Sequence, residues 1–327
     1  MEIGYALSSE EHAPLDLVHN AQRAEAAGFS YALVSDHFHP WIDRQGESPF
    51  VWGVIGAIAA STRELRLGTG VTCPTIRIHP AIVAQAAATA AALMPGRFFL
   101  GVGTGENLNE HVLGDRWPSA SERLEMLEEA IEVMRHLWRG ELCSFEGKHY
   151  TVTDARIYTL PDDDIDVVVA AGGPEAAELA GRVGDGLVAT TPDRELTQAY
   201  LDAGGSGPRY GQVTVCWAES EREARRTALE RWPNAGLQGP LSQELPLPGH
   251  FEAAAESVTE DDVAEYVVCG PDADEHLRAI AEFGDAGFDH VYVHQVGPDQ
   301  EGFIAFYERE VLHEAEVLSS ALRPTTA

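Results

Sequence analysis

The chain has 327 residues, of which 44% are hydrophobic, and its 53 acidic against 22 basic residues give a formal charge of −31. A surface of that sign repels nucleic acid and anionic membranes, and no apolar run approaches the roughly 20 residues a membrane span needs. Lys148 is the single lysine; acidic excess with lysine depletion suits a salt-rich cytoplasm, where self-repulsion is screened over roughly 3 Å at about 1 M salt.

In chain order, strand-like apolar runs alternate with helical periodicity. "IGYAL" (3–7) precedes "LDLVHNAQRAEAAG", whose apolar spacing and terminal Gly28 predict a helix. "YALVSD" (31–36) leads through a loop to "VWGVIGAIAASTR", "LRLGTGVTC" (65–73) to "PAIVAQAAATAAALMPG", and "FFLGVGTG" (98–105) to "SERLEMLEEAIEVMRHLWRG". "IDVVVAAGG" (165–173) runs directly into "PEAAELAGRVG", and "DGLVATT" (185–191), "QVTVCWA" (212–218) and "HVYVHQVG" (290–297) complete the set. Eight strand–helix units predict a (β/α)8 TIM barrel in the α/β class. A doubly wound sheet opens on a glycine-rich dinucleotide fingerprint after its first strand, and none occurs there; "GVGTGE" carries Glu106 in place of the last glycine and falls at the fourth strand. Two stretches break the repeat: 141–160 reads as a small β excursion, and the Pro- and Gly-rich 232–258 as a lid-like insertion. No linker divides the chain, so one domain over 1–327 is expected. Cys73, Cys143, Cys216 and Cys269 form no CxxC pair and are expected to be free thiols, with no metal site. The N-terminus shows no basic region followed by an apolar one, so a cytoplasmic protein is expected.

In a barrel the residues just past the strand ends form the active face. Here they include Asp36, His37 and Trp41 after the second strand, Gly70, Val71, Thr72 and Cys73 after the third, and Gly103, Gly105, Glu106 and Asn109 after the fourth. Gly172 and Gly173 follow the fifth, Thr190 and Thr191 the sixth, and His294 ends the eighth. The segment "VSDHFHPW" alone admits three readings: a polar strand end, a metal pair from His37 and His39 on one face, or a catalytic site. Histidine is the usual base near neutrality, which suits the third. "AAGGPEAAELAG" places two glycines and Pro174 at a helix start, where free N–H groups form an anion site.

"SDHFHPW", "GTGVTCPT", "FFLGVGTGENLNE", "AAGGP" and "AGRVGDGLVAT" occur in order. With them the chain resembles the coenzyme F420-dependent glucose-6-phosphate dehydrogenase family of bacterial luciferase-like barrels, from about residue 3 to 315. The resemblance implies a homodimer and hydride transfer from an alcohol carbon of a sugar, sugar phosphate or secondary alcohol to coenzyme F420. It implies His37 as the base at the hydroxyl, Glu106 as the acid at the deazaflavin, Trp41 lining the site, and Glu10 as the acidic residue near His37. It further implies deazaflavin contacts from Asp36, Cys73, Gly105, Asn109, Gly172, Gly173 and Thr190, with a non-proline cis peptide at Gly70–Val71. The substrate would meet Thr191, Arg194 and Tyr266. The chain departs from the relatives that bind a sugar phosphate: their lysine after "DGxxxT" is Asp193 here, a second basic position is Tyr266, and the insertion holds no lysine. Arg194 stands as the substitute cation. Two other readings are an FMN-dependent luciferase-like monooxygenase, which the pairing of "SDHFHPW" with "GTGE" opposes, and a non-catalytic flavin-binding barrel, which would need no His37 and Glu106 together.

Overall fold

The computed structural model describes residues 1–237 and 239–314. Eight parallel strands form the barrel: β1 (Glu2–Leu7), β2 (Tyr31–Val34), β3 (Arg66–Thr69), β4 (Phe98–Val102), β5 (Val167–Ala170), β6 (Gly186–Ala189), β7 (Arg209–Cys216) and β8 (His290–Gln295). Each pairs with the next in sequence, and β8 returns to β1, with Glu2 opposite His290 and Tyr5 opposite Val293. The ring is thereby closed and has no free edge. All eight predicted strands are present. The two-residue strand Val268–Cys269, on the top of β7, was not predicted.

The strands are apolar because both faces are buried. In β2, Tyr31 and Leu33 point into the barrel, where they meet Phe99, Val168, Val188, Tyr210 and Tyr292. Ala32 and Val34 point outward into the larger core beneath the helices, as the alternation of a strand requires. Tyr210 stacks on Phe99 with ring centroids 5.2 Å apart and meets Tyr31 edge-on at 5.3 Å. Rings this large need small neighbours: a Cβ on Gly68 would lie 2.2 Å from Phe99, and one on Gly4 would lie 2.4 Å from Tyr31. The lower barrel is therefore solid, and open space remains only towards the C-terminal ends of the strands.

The helices follow their local signals. Pro14 opens the first helix (Pro14–Ala27), and Gly28 closes it in the left-handed region, its N–H reaching the carbonyls of Ala24 and Glu25. The excursion at 141–160 is an antiparallel hairpin of Cys143–Glu146 and Thr151–Ala155. The insertion at 232–258 holds three short helical turns, Pro233–Gly236, Leu241–Glu244 and Pro248–Ala254. Its Phe251 packs with Ile42 and Leu108 over the barrel mouth. No helix among the described residues is long and apolar enough to cross a membrane.

Candidate active site

A cavity of about 250 Å³ opens at the C-terminal mouth of the barrel. Its floor is apolar, from Leu33, Val71, Ala170 and Val188, and its rim carries Glu10, His37, Trp41, Glu106, Gln212 and His294. Of the residues singled out in the sequence, His37, Glu106, Trp41, Glu10, Gly70, Val71, Gly172 and Thr190 all line this one space.

His37 follows β2, whose apolar alternation carries the chain up to the mouth. Its Nε2 lies 3.2 Å from Oε1 of Glu10, with both side chains nearly buried. Nδ1 lies 3.2 Å from the carbonyl oxygen of His39. With Nδ1 donating to that carbonyl, Nε2 is the nitrogen left facing Glu10. The second oxygen of Glu10 accepts from the hydroxyls of Ser35 at 2.6 Å and Ser8 at 3.1 Å. Burial pushes the Glu10 carboxyl up, but the His37 ring and the Ser35 hydroxyl together outweigh it and hold the group below its ordinary value. Glu10 is therefore a carboxylate set against the His37 ring. Trp41 tilts over the imidazole with centroids 5.1 Å apart and is braced edge-on by Phe251 at 5.3 Å. His39 turns away, its Nδ1 placed 2.9 Å from the Leu108 carbonyl.

Other residues singled out in the sequence stand behind the lining. Asn109 ties two loops together: its carbonyl oxygen accepts from the N–H groups of Phe38 and His39, and its amide reaches Glu106 at 3.3 Å. Asp36 is buried against Thr72 at 2.8 Å and Arg77 at 2.9 Å. Arg77 also lies 3.5 Å from Glu110. Burial pushes Glu110 up to about 7 against the opposing pull of Arg77. Cys73 is buried beside Thr75, and burial raises its thiol well above the ordinary value. Gly105 packs on Cys73, with room for no side chain. The peptide Gly70–Val71 is cis, at the position that the resemblance implied.

Gly172 and Gly173 sit before the helix Pro174–Val183, whose N-cap has no side-chain hydrogen bond. A Cβ on either glycine would meet nothing within 4 Å. An open, uncapped helix start beside an apolar floor fits a flat ring system with an anionic tail, so these residues fit a deazaflavin nucleotide.

Three residues are placed differently from the sequence expectation. After Thr190 the chain leaves the mouth. Asp193 caps the helix Arg194–Asp202, accepting from the Glu195 N–H at 2.7 Å, and the Arg194 guanidinium donates to the Asp285 carbonyl. Arg194 is therefore turned towards the outer helical layer in this structure. Thr191 and Tyr266 line a second hollow of about 560 Å³ beside the helix Ala273–Asp285, which adjoins the catalytic cavity through the shared residues Thr190 and Gln212 and carries Arg225 and Arg278. The cavity lining contains neither arginine nor lysine among the described residues.

Two lining residues, Gln212 and Trp232, escaped the sequence reading, as did the partner of His294. Gln212 sits two positions beyond Tyr210 on the inward face of β7, and that alternation was a usable signal. Trp232, at the start of the insertion, packs edge-on against His294 with centroids 4.5 Å apart. His294 pairs with Glu11 at 3.2 Å, a contact spanning 283 positions that only barrel closure creates.

The comparisons with known proteins agree with this geometry. The sequence pattern of the luciferase-like monooxygenase family matches residues 1–290. An F420-dependent glucose-6-phosphate dehydrogenase from Mycobacterium avium (strain 104) is 37% identical over 325 residues, covering 95% of this chain and 97% of its own length. One from Beutenbergia cavernae is 39% identical over 324 residues, covering 95% and 96%. Among solved structures, an F420-dependent secondary alcohol dehydrogenase in complex with an F420-acetone adduct superposes with a TM-score of 0.87 at 32% identity, covering 94% of this chain and 97% of that one. The chain belongs to the F420-dependent glucose-6-phosphate dehydrogenase family of luciferase-like barrels.

Proposed function

We propose that this protein is a coenzyme F420-dependent dehydrogenase that oxidises an alcohol carbon, and that its preferred substrate carries no phosphate. The observation that carries the reading is the single cavity holding the His37–Glu10 pair together with Glu106 at the barrel mouth. When bound, F420 supplies hydride acceptance. The protein supplies the rest.

Gly172 and Gly173 would hold the anionic tail, and Leu33, Val71, Ala170 and Val188 the ring face. His37 Nε2 takes the hydroxyl proton, and Glu10 stabilises the resulting imidazolium at 3.2 Å. Glu106, steadied by Asn109, is the proton source on the opposite rim. Trp41, Phe251 and Trp232 shield the cavity from water.

The substrate class follows from charge. A phosphate dianion needs paired cations or several aligned N–H donors. The cavity lining offers Glu10 and Glu106 and no arginine or lysine among the described residues, the arginines Arg225 and Arg278 lie in the adjoining hollow, and the helix N-terminus would be taken by the cofactor. Glucose, isopropanol and glucose 6-phosphate should be compared by bleaching of the deazaflavin band in high KCl. A neutral alcohol should give the highest kcat/KM. A lead of more than about tenfold for the phosphate ester, or 1.4 kcal/mol, would overturn the substrate assignment; turnover with FMN and not F420 would overturn the cofactor.

We further infer a homodimer in a salt-rich cytoplasm. Phe50, Ile82 and Leu93 are 64%, 57% and 54% exposed and line one groove with Trp52 between the helices Val51–Ser61 and Pro80–Leu93, a contiguous apolar face suited to a second copy.

A further inference from the structure

Two tryptophans stand on the rim of the catalytic cavity, and neither belongs to a barrel strand. Trp41 lies in the loop after β2, tilted over the His37 ring. Trp232 follows the helix Glu221–Arg231 and packs edge-on against His294. One side chain joins the backbones that carry them. Gln45 is 4% exposed. Its Oε1 accepts from the N–H groups of Trp41 at 2.8 Å and Ile42 at 3.3 Å, and its Nε2 donates to the Arg231 carbonyl at 3.1 Å. That carbonyl ends a helix and finds no partner within it. Only an amide suits the position, since a carboxylate cannot donate and an ammonium cannot accept. The parallel tie of Arg44 to Glu230, at 3.8 Å, is about half exposed and contributes little.

We propose that Gln45 is a positioning residue: it fixes where Trp41 and Trp232 stand relative to each other, and so the size of alcohol that the cavity selects. The inference rests on the dehydrogenase reading above. Gln45 does not line the cavity; it acts through the two indoles. The His37 end of the same loop is held separately. Asn109 accepts from the Phe38 and His39 N–H groups, and Ser48 donates to the His37 carbonyl at 2.8 Å. Only the Trp41 end depends on Gln45. Without its amide, two buried N–H groups and a carbonyl lose their partners and must reach water. The loop and the helix end would have to part to let water in. A wider gap between the indoles holds a small alcohol loosely and admits a bulkier one. The His37–Glu10 pair and the glycines before the helix Pro174–Val183 hang on other attachments and stay in place.

Gln45→Met keeps the bulk of the side chain and removes its hydrogen bonds. With F420, the preference in kcat/KM for isopropanol over cyclohexanol should fall about tenfold in this variant. The fall should come through KM, with kcat for isopropanol little changed. Fluorine NMR of cofactor-free protein labelled with 5-fluorotryptophan gives a second readout on the six tryptophans. Trp41→Phe and Trp232→Phe assign the two signals of interest. Both should shift in Gln45→Met, while those of Trp52 and Trp138 hold. Gln45→Glu keeps the acceptor for Trp41 and Ile42 and, ionised, loses the donor to Arg231. It should move the Trp232 signal and leave that of Trp41, and it decides the matter if Gln45→Met does not fold. An unchanged preference, or activities on both alcohols that fall in equal proportion, overturns the proposal. So do unmoved Trp41 and Trp232 signals. Wild-type protein with no F420-coupled oxidation would sink the parent reading instead, and the fluorine spectra would still decide whether Gln45 fixes the indoles.

Discussion

The two halves of the barrel mouth are built from different chemistry. Around β1, β2 and β8 the rim is titratable and aromatic: Glu10, His37, Trp41 and His294. Around β5 and β6 it is small and mostly neutral: Ala170, Ala171, Gly172, Val188, Ala189 and Thr190. The first half holds protons in fixed places; the second leaves space beside backbone N–H groups. On the proposed function the division would separate proton transfer from cofactor seating, so damage to one half should spare the other.

The sharpest way to break this comparison is to remove the base. His37→Ala should lower kcat by roughly 10²–10⁴-fold, the usual range for a lost general base, while F420 affinity measured by fluorescence quenching changes little. Near-normal turnover would move the base elsewhere on the rim. The reciprocal change is Gly172→Val. A Cβ there meets nothing within 4 Å, so the fold should be kept and the melting temperature unchanged. The side chain would occupy the seat, and F420 affinity should fall about tenfold or more, equal to 1.4 kcal/mol, with kcat at saturating cofactor affected less. Unchanged affinity would show that the cofactor is not seated on the β5 loop.

A third test reaches beneath the titratable half. Asp36, Arg77 and Glu110 share a buried site with two carboxylates for one guanidinium. Burial raises Glu110 from 4.5 to about 7. In that window the folded protein keeps a proton that the unfolded chain has lost, so stability falls as pH rises from about 4.5 to 7. Glu110→Gln keeps the acceptor for the Arg77 N–H and removes the titration. Denaturant melts across that range should lose a slope of up to about 3 kcal/mol in total. An identical pH dependence in the variant would place the ionised form inside the fold, held by Arg77.

The fold was legible because barrel strands are apolar on both faces and end abruptly in glycine and polar residues. "YALV" and "VVVA" could be placed to within a few residues without any partner known. The strand Val268–Cys269 was not legible, since two residues pairing with the top of β7 carry no periodicity. The site was legible where chemistry sits directly past a strand end, as with His37 and Glu106. It was less legible at Arg194, because nothing local reveals that the chain turns outward after Thr190 and that Arg194 bonds the carbonyl of Asp285. It failed at Glu11 for the opposite reason. Glu10 and Glu11 are adjacent in sequence, yet they serve pairs on either side of β1, and the partner of Glu11 lies 283 positions away.

The smallest expected effect separates the buried acids from the exposed ones. Of the 53 acidic residues, a handful are enclosed with named partners: Glu10 with His37, Glu11 with His294, and Asp36 and Glu110 with Arg77. Salt screens charges separated by water far better than buried pairs. Most of the −31 lies outside, where mutual repulsion opposes the compact state. Raising KCl from about 0.1 to 2 M should therefore raise the melting temperature. The same salt should leave the pH midpoint of kcat nearly fixed, because His37 and Glu10 are sheltered from it. The two outcomes are read on one sample. A melting temperature indifferent to KCl would assign the acidic composition to something other than a salt-rich interior. A kcat midpoint that moved with KCl would mean that the His37–Glu10 pair feels the surface field, and the division between a sheltered proton-handling half and an exposed acidic shell would no longer hold.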